Sequence, residues 1–378
     1  MLDQSGETAL PAGSSWDPVR VSARASAVTI LGAGPVGLVA ALMLLRAGER
    51  VTIAAEAFPR AGDQRRVDAV PAAFIMLLRD FGISPESVGV DAVHLRRRLI
   101  WTSRTPQISV TPPTAYVERP KLELALFDLL QRFKSVQFDE RRLKRSHALE
   151  PAGLPCRRLI DATGRAAVTA TRIIRPPKPW AARTFWTPRP RSCQSPLFTV
   201  VSLPHGYAYR SYSKSYVTLG VVGRGPIVDG GKKDVARYLR EFASTFLDES
   251  PSLDDMVANR AKIASVQWTE GNHRLRLGDA ALARDVLSSQ GIVCGISEGL
   301  LSSALRDDRE VDLIRARQAE QRRLHLRSLL RMIEQCDYAD RPVWQDYRAA
   351  ISPASTQPAV AYTSALRFGR IRRIPLNC

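Results

Sequence analysis

Residues 28–56 read VTILGAGPVGLVAALMLLRAGERVTIAAE. Val28, Ile30 and Leu31 form a short apolar strand, and Gly32, Gly34 and Gly37 follow in the spacing G-x-G-x-x-G. Leu38 to Ala47 are strong helix formers, and Gly48 closes that helix. Val51, Ile53 and Ala54 make a second strand that ends in an acid, Glu56. The order strand, tight turn, helix, strand predicts an α/β fold built on a mostly parallel sheet with helices on both faces.

This stretch suits a dinucleotide. Gly32 permits the turn, Gly34 lets a pyrophosphate approach the backbone, and Gly37 lets the helix pack closely on the strand. Pro35 and Val36 open the helix, whose first N–H groups and positive dipole end face the phosphates. Glu56, 22 residues beyond Gly34, can accept hydrogen bonds from both ribose hydroxyls. A nicotinamide dehydrogenase would look the same over these residues, so the rest of the chain has to separate the two.

The chain has 378 residues, 45% of them apolar and 24% charged, ordinary proportions for a globular protein with ample core. No run of 18 apolar residues occurs, so no membrane span is expected. Residues 1–26 lack the apolar middle of a signal peptide; they read as a flexible lead, and the protein reads as cytoplasmic. The five cysteines, Cys156, Cys193, Cys294, Cys336 and Cys378, are far apart with no C-x-x-C, which argues against a metal site and a disulfide framework. The net charge is +18, with 47 Arg and 8 Lys spread along the chain. Such a surface suits an acidic partner. No zinc spacing, RRM-like aromatic motif or Lys/Arg-run tail points to nucleic acid; RRLKR (141–145) and RIRR (370–373) are short.

Three further stretches carry a resemblance. VERPKLELALFDLL (117–130) sets an Arg before an amphipathic helix. RLIDATGRAA (158–167) is an apolar strand leading to D-A-T-G-R, and GDAALARDVLSSQGI (278–292) holds Gly-Asp and a polar turn. In this order after the fingerprint, they resemble the FAD-dependent hydroxylases of the aromatic-hydroxylase type and the related flavin-dependent halogenases. Within that superfamily, QRRVDAVPAAFIMLLRDFGISPESVGV (64–90), YVERP and SSQGI are similar to the flavoproteins that mature tryptophan-derived quinone cofactors. Those enzymes hydroxylate a tryptophan inside another polypeptide.

The resemblance implies a Rossmann-like FAD-binding domain with an inserted antiparallel β-sheet substrate domain. The FAD domain would comprise 27–100, 115–170 and 265–335; the substrate sheet 101–114 and 171–264, with 96–116 adding strands; and 336–378 an irregular basic tail. Residues 231–249 and 308–336 read as amphipathic helices. By resemblance Asp279 would bind the ribityl chain, Arg119 the phosphates, and Asp161 and Gly164 the cofactor at a strand end. Arg66 would sit over the mouth, and Ser289, Gln290, Gly291 and Ile292 would bring backbone N–H groups to the flavin. Where the family carries Pro, this chain has Val286. Cys294 reads as a small core residue.

The family's chemistry passes through a flavin C4a-hydroperoxide that transfers oxygen to an electron-rich ring, with NADH or NADPH as reductant. It needs no dedicated acid–base pair, and none stands out in the sequence. Trp101, Tyr207, Tyr209, Tyr212 and Tyr216 are candidates to line the site. An acidic polypeptide substrate would suit the positive surface. Three other readings stay open: a halogenase, although PWAARTFWTP (179–188) does not fit the halogenase W-x-W-x-I-P; an isoprenoid reductase or cyclase; and a non-catalytic flavin-binding assembly factor.

Overall fold

A computed structural model describes residues 27–60, 67–102, 106–143, 158–190, 197–248, 252–259, 262–270, 274–284, 291–302 and 308–356. Its strands are β1 (Ala27–Leu31), β2 (Arg50–Ala55), β3 (Val67–Pro71), β4 (Val93–Ile100), β5 (Gln107–Glu118), β6 (Val136–Glu140), β7 (Arg158–Asp161) and β8 (Arg172–Ile174). They continue as β9 (Ala181–Pro188), β10 (Phe198–Leu203), β11 (Gly206–Tyr212), β12 (Tyr216–Gly223), β13 (Val257–Ala258), β14 (Lys262–Ile263), β15 (Gln267–Glu270) and β16 (Leu275–Arg276). The helices are α1 (Pro35–Arg46), α2 (Ala72–Asp80), α3 (Arg119–Leu130), α4 (Pro226–Asp229), α5 (Lys232–Asp248), α6 (Asp279–Leu282), α7 (Gly291–Leu301), α8 (Asp308–Glu334) and α9 (Pro342–Thr356).

Strands β16, β7, β1, β2 and β6 form a parallel sheet in that order. In its centre Val28, Thr29 and Ile30 are all buried, as expected of a parallel strand covered on both faces. Helix α1 is apolar on nearly every side because it packs in one core with the sheet, α3 and α7. The chain thus forms the α/β unit that the fingerprint predicts. The last strand of that sheet, β16, arrives after more than half the chain has passed through other elements.

The second sheet runs β13-β9-β12-β11-β10-β4-β5-β3 with β14 also on β9. Its pairs are antiparallel except β4 with β10. Alternation along the strands gives it two faces. Ile100, Val201, Leu203, Ala208, Tyr212 and Leu219 pack with α5 on one face. Leu99, Phe198, Val200, Tyr207 and Val222 pack with α8 and α9 on the other. Helix α5 keeps Val235, Leu239 and Phe246 against the sheet and bends at Ala243, whose backbone leaves helical geometry.

The expected irregular tail is corrected at 342–356. These residues form α9, and Trp344, Tyr347 and Ile351 stand at helical spacing, all buried. The Trp344 indole donates to Leu203 O at 2.9 Å, and the Trp101 indole donates to Met332 O at 2.7 Å. Trp344 meets Trp180 edge-on at 4.9 Å and Trp101 at 5.7 Å, while Tyr347 stacks on Trp180 at 4.4 Å. The basic residues around this stretch conceal an apolar stripe that the sheet recruits.

Trp344→Ala should cost about 3–5 kcal/mol, because it empties a buried aromatic site and orphans the Leu203 carbonyl. Denaturant unfolding should show a lower midpoint with unchanged slope; a variant as stable as the parent would mean that α9 is not part of the core.

Candidate functional site

The glycines of the first turn are set by close backbone contacts. Gly32 has φ +103°, and a Cβ there would lie 2.5 Å from Ala162 O. A Cβ on Gly37 would lie 2.1 Å from Gly32 O. Gly34 differs, since a Cβ there would meet only the Arg119 guanidinium, at 3.7 Å. Pro35 at the first helical position costs no hydrogen bond, and the N–H groups of Val36 and Gly37 stand in the unpaired first turn of α1. Glu56 follows β2 directly and is exposed, at the same C-terminal edge as the glycine turn.

A second helix start joins the first. Val36 lies against Gly295, and its carbonyl and the Ala40 N–H lie against Gly299. Helices α1 and α7 therefore run side by side in the same sense, with Gly291 and Ile292 opening α7. Asp279 stands at this end. Its Oδ1 is 3.5 Å from where a Gly291 Cβ would be, and its side chain keeps 39% exposure. The start of α3 brings Arg119 to the same place, with Nε on Glu123 Oε1 at 2.7 Å and Nη1 3.7 Å from Asp68 Oδ2. Burial pulls the Arg119 pKa down, but Asp68, Glu123 and Asp279 outweigh it and hold it above the ordinary value. Helix N-termini and a held guanidinium thus converge beside a carboxylate, an arrangement that binds phosphates and hydroxyls together.

Asp161 has a different role from the expected one. Its Oδ1 accepts from Thr163 N at 2.9 Å and Thr163 Oγ1 at 2.6 Å, and its Oδ2 accepts from Thr169 N and Oγ1, both at 2.8 Å. A fully buried carboxylate with four internal donors shapes its loop and offers no oxygen outward. Gly164 in that loop has φ +63° and open space at its Cβ position. Arg66, Ser289 and Gln290 lie outside the described residues.

The roof aromatics divide. Trp101 and Tyr207 belong to the core under α9, and Tyr212 points to the α5 face beside Arg210. Tyr216 meets Trp186 edge-on at 5.5 Å. Tyr209 lies across Gly220, near Phe198 at 6.1 Å, and Phe198 stacks on Tyr116 at 5.8 Å. His94 and Arg97 adjoin Tyr116. Burial raises the Tyr116 phenol, although Arg97 opposes it, so Tyr116 stays neutral. Tyr116 and Phe198 are buried in the same core cluster as Trp101 and Tyr207, with Tyr209 partly buried against it, and β5 runs on from Tyr116 to Glu118, next to Arg119.

Two charged residues escape sequence reasoning. Arg165 donates to Ser265 O at 2.7 Å, Ala264 O at 3.2 Å and Arg284 O at 3.3 Å, and its Nε is 4.0 Å from Asp279 Oδ2. Its only signal is its place in D-A-T-G-R. Glu298, inside α7, accepts from Gly278 N at 2.8 Å and Gln318 Nε2 at 3.0 Å, holding the turn before Asp279 where Gly278 has φ +57°. Cys294 is buried, and no His/Cys/Asp/Glu group among the described residues could hold a metal. No described helix is long and apolar enough to cross a membrane.

No family model and no curated protein matches the chain. Solved structures do. The peptidyl tryptophan dihydroxylase QhpG, essential for tryptophylquinone cofactor biogenesis, is 22% identical with TM-score 0.62, over 86% of this chain and 79% of that one. The myxobacterial chondrochloren halogenase CndH, a variant of FAD-dependent halogenases, is 16% identical with TM-score 0.66, over 86% of each chain. CtdE, solved in complex with FAD and a substrate, is 13% identical with TM-score 0.62, over 87% of this chain and 98% of that one. The chain has the fold of flavin-dependent hydroxylases and halogenases.

Burial raises the Glu298 carboxyl above its ordinary value of about 4.5, with the Gly278 N–H, Arg284, Gln318 and Arg317 opposing. The folded state therefore holds this proton more tightly than the unfolded chain, and stability falls as pH rises from about 4.5 through the folded value. Glu298→Gln, which can still accept from Gly278, should flatten that decline in thermal melts across pH. An unchanged pH slope would assign the decline to other groups.

Proposed function

We propose that this chain is an FAD-dependent monooxygenase that hydroxylates an aromatic ring, its substrate a tryptophan residue in a polypeptide maturing into a quinone cofactor. NADH or NADPH serves as reductant. The observation that carries the flavin reading is the convergence of the α1 and α7 N-termini with Arg119 and the half-exposed Asp279. These residues fit FAD: among the described residues the Gly34 position faces only Arg119, and Glu56 is exposed at the strand end for a ribose. The dihydroxylase neighbour has the highest identity of the three above and supports the polypeptide substrate, as does the net charge of +18.

When bound, FAD supplies the oxygen chemistry. Arg119 and the helix starts hold the pyrophosphate, Glu56 the ribose and Asp279 the ribityl hydroxyls. The start of α7 places N–H groups where negative charge on the ring is favoured. Tyr116, Phe198 and Tyr209 close the far side, keep water away and hold an aromatic ring by edge and face contacts. A halogenase is the second reading. At 179–188, where W-x-W-x-I-P would be sought, Trp180 is spent on Tyr347 and Trp344 and Phe185 on the opposite face.

The test is to load the protein with FAD, reduce it with NADH or NADPH in air in the presence of bromide, and weigh the precursor polypeptide. A gain of oxygen on tryptophan is expected. Bromide incorporated instead would make it a halogenase, and failure to take up FAD would end the flavin reading. Arg119→Ala and Asp279→Asn should each weaken FAD binding by about 1.5–3 kcal/mol, or roughly ten- to hundred-fold in Kd, read by flavin fluorescence, while Tyr212→Phe leaves it unchanged.

A further inference from the structure

Arg284 follows α6, five residues beyond Asp279, and only 4% of it is exposed. Its Nη2 donates to Gln321 Oε1 on α8 at 3.0 Å. Its Nη1 is buried and makes no hydrogen bond. Arg165 shows the contrast: its two terminal nitrogens end on three carbonyls, one of them Arg284's own. No carboxylate among the described residues lies within ion-pair distance of Arg284. Glu298 feels its charge, but the Glu298 Oε2 is committed to Gly278 and Gln318. His325 on α8 stays neutral, because burial and the nearby Arg284 push its imidazolium pKa down to about 3. Ser265, which also gives its carbonyl to Arg165, holds a second buried oxygen without a partner, its Oγ.

A buried guanidinium with no carboxylate partner among the described residues is costly, and a structural role alone would be met as well by an apolar side chain. Its planar fork suits a carboxylate. We propose that Arg284, positioned by Gln321, is a specificity residue that binds a carboxylate of the substrate. Arg165 binds the Arg284 main-chain carbonyl and comes within 4.0 Å of Asp279, so the backbone carrying Arg284 adjoins the Asp279 end of the proposed flavin site while its guanidinium reaches in toward Gln321 on α8. Its purpose rests on the oxygenase reading above. The carboxylate belongs either to a free aromatic acid or to an acidic side chain next to the target tryptophan in a polypeptide.

The experiment compares benzoate with neutral benzamide, and the peptide acetyl-Asp-Trp-amide with acetyl-Asn-Trp-amide. Each is titrated into the full-length protein, with and without FAD, by thermal shift and tryptophan fluorescence. Benzoate, the Asp peptide or both should bind about ten-fold or more tightly than the neutral counterpart. Arg284→Met should abolish the preference, and Arg284→Lys should keep part of it. Preference for benzoate alone indicates a free acid, and preference for the Asp peptide indicates a polypeptide. Equal binding of charged and neutral probes to the parent protein overturns the proposal, whether or not the variants fold. So does a preference that survives in Arg284→Met. A protein that takes up FAD without this preference refutes the carboxylate site alone; one that shows the preference without taking up FAD refutes the flavin reading alone.

Discussion

The side chain of Val36 lies against Gly278 and Gly295, with no room for a Cβ at Gly295 and little at Gly278. One turn on, Gly299 admits the backbone of α1 to the surface of α7. This contact joins residues near the start of the described chain to residues after 275, and the rest of the architecture depends on it. It sets the two helices side by side in one sense and so places both positive ends around Asp279. Glu298, from inside α7, holds the Gly278 turn that this approach requires. A larger side chain at any of these glycines would separate the helices and pull the site apart with them.

Much of the cradle was legible because it is local. The strand, glycine turn, helix and acid of 28–56 lie within a few turns of one another, and each glycine answers a backbone constraint that spacing already expresses. Asp279 and Arg119 were also visible, through resemblance. Asp161 was visible as a residue and not as a role: only the fold reveals that Thr163 and Thr169 fill both of its oxygens. Arg165, Arg284 and Glu298 look like ordinary surface charges in the sequence. Their burial comes from α8 and the 264–267 segment closing over them, contacts about 20 to 120 residues distant in sequence. The aromatic residues of the roof could not be sorted for a similar reason, since alternation says that faces differ but not which face a helix will cover.

The surplus of arginine also divides once positions are known. Arg165 binds backbone carbonyls, Arg210 lies over Tyr212 and Phe246 and donates to Phe246 O, and Arg158 pairs with Glu49. These serve the interior as well as the surface. A guanidinium has several donors in one plane and stacks on rings, so it can bridge loops where lysine cannot. The count of 47 Arg is therefore partly a count of internal ties, although the net charge of +18 already subtracts every acid that pairs with one.

The position of α9 has a consequence for the way the molecule is made. A ribosome adds about 5–20 residues per second, so the sheet face carrying Trp101, Trp180 and Tyr207 is complete on the order of ten seconds before Trp344 and Tyr347 exist to cover it. For the first part of that interval the parallel sheet also lacks β16, and α1 lacks the partner α7 that brings a second helix start to the glycine turn. During that time the nascent chain has a glycine turn without its partner helix start, and then a bare aromatic surface that a chaperone would have to shield. The order of the genetic message thus completes the paired helix starts with α7 first and buries the aromatic core only when α9 arrives.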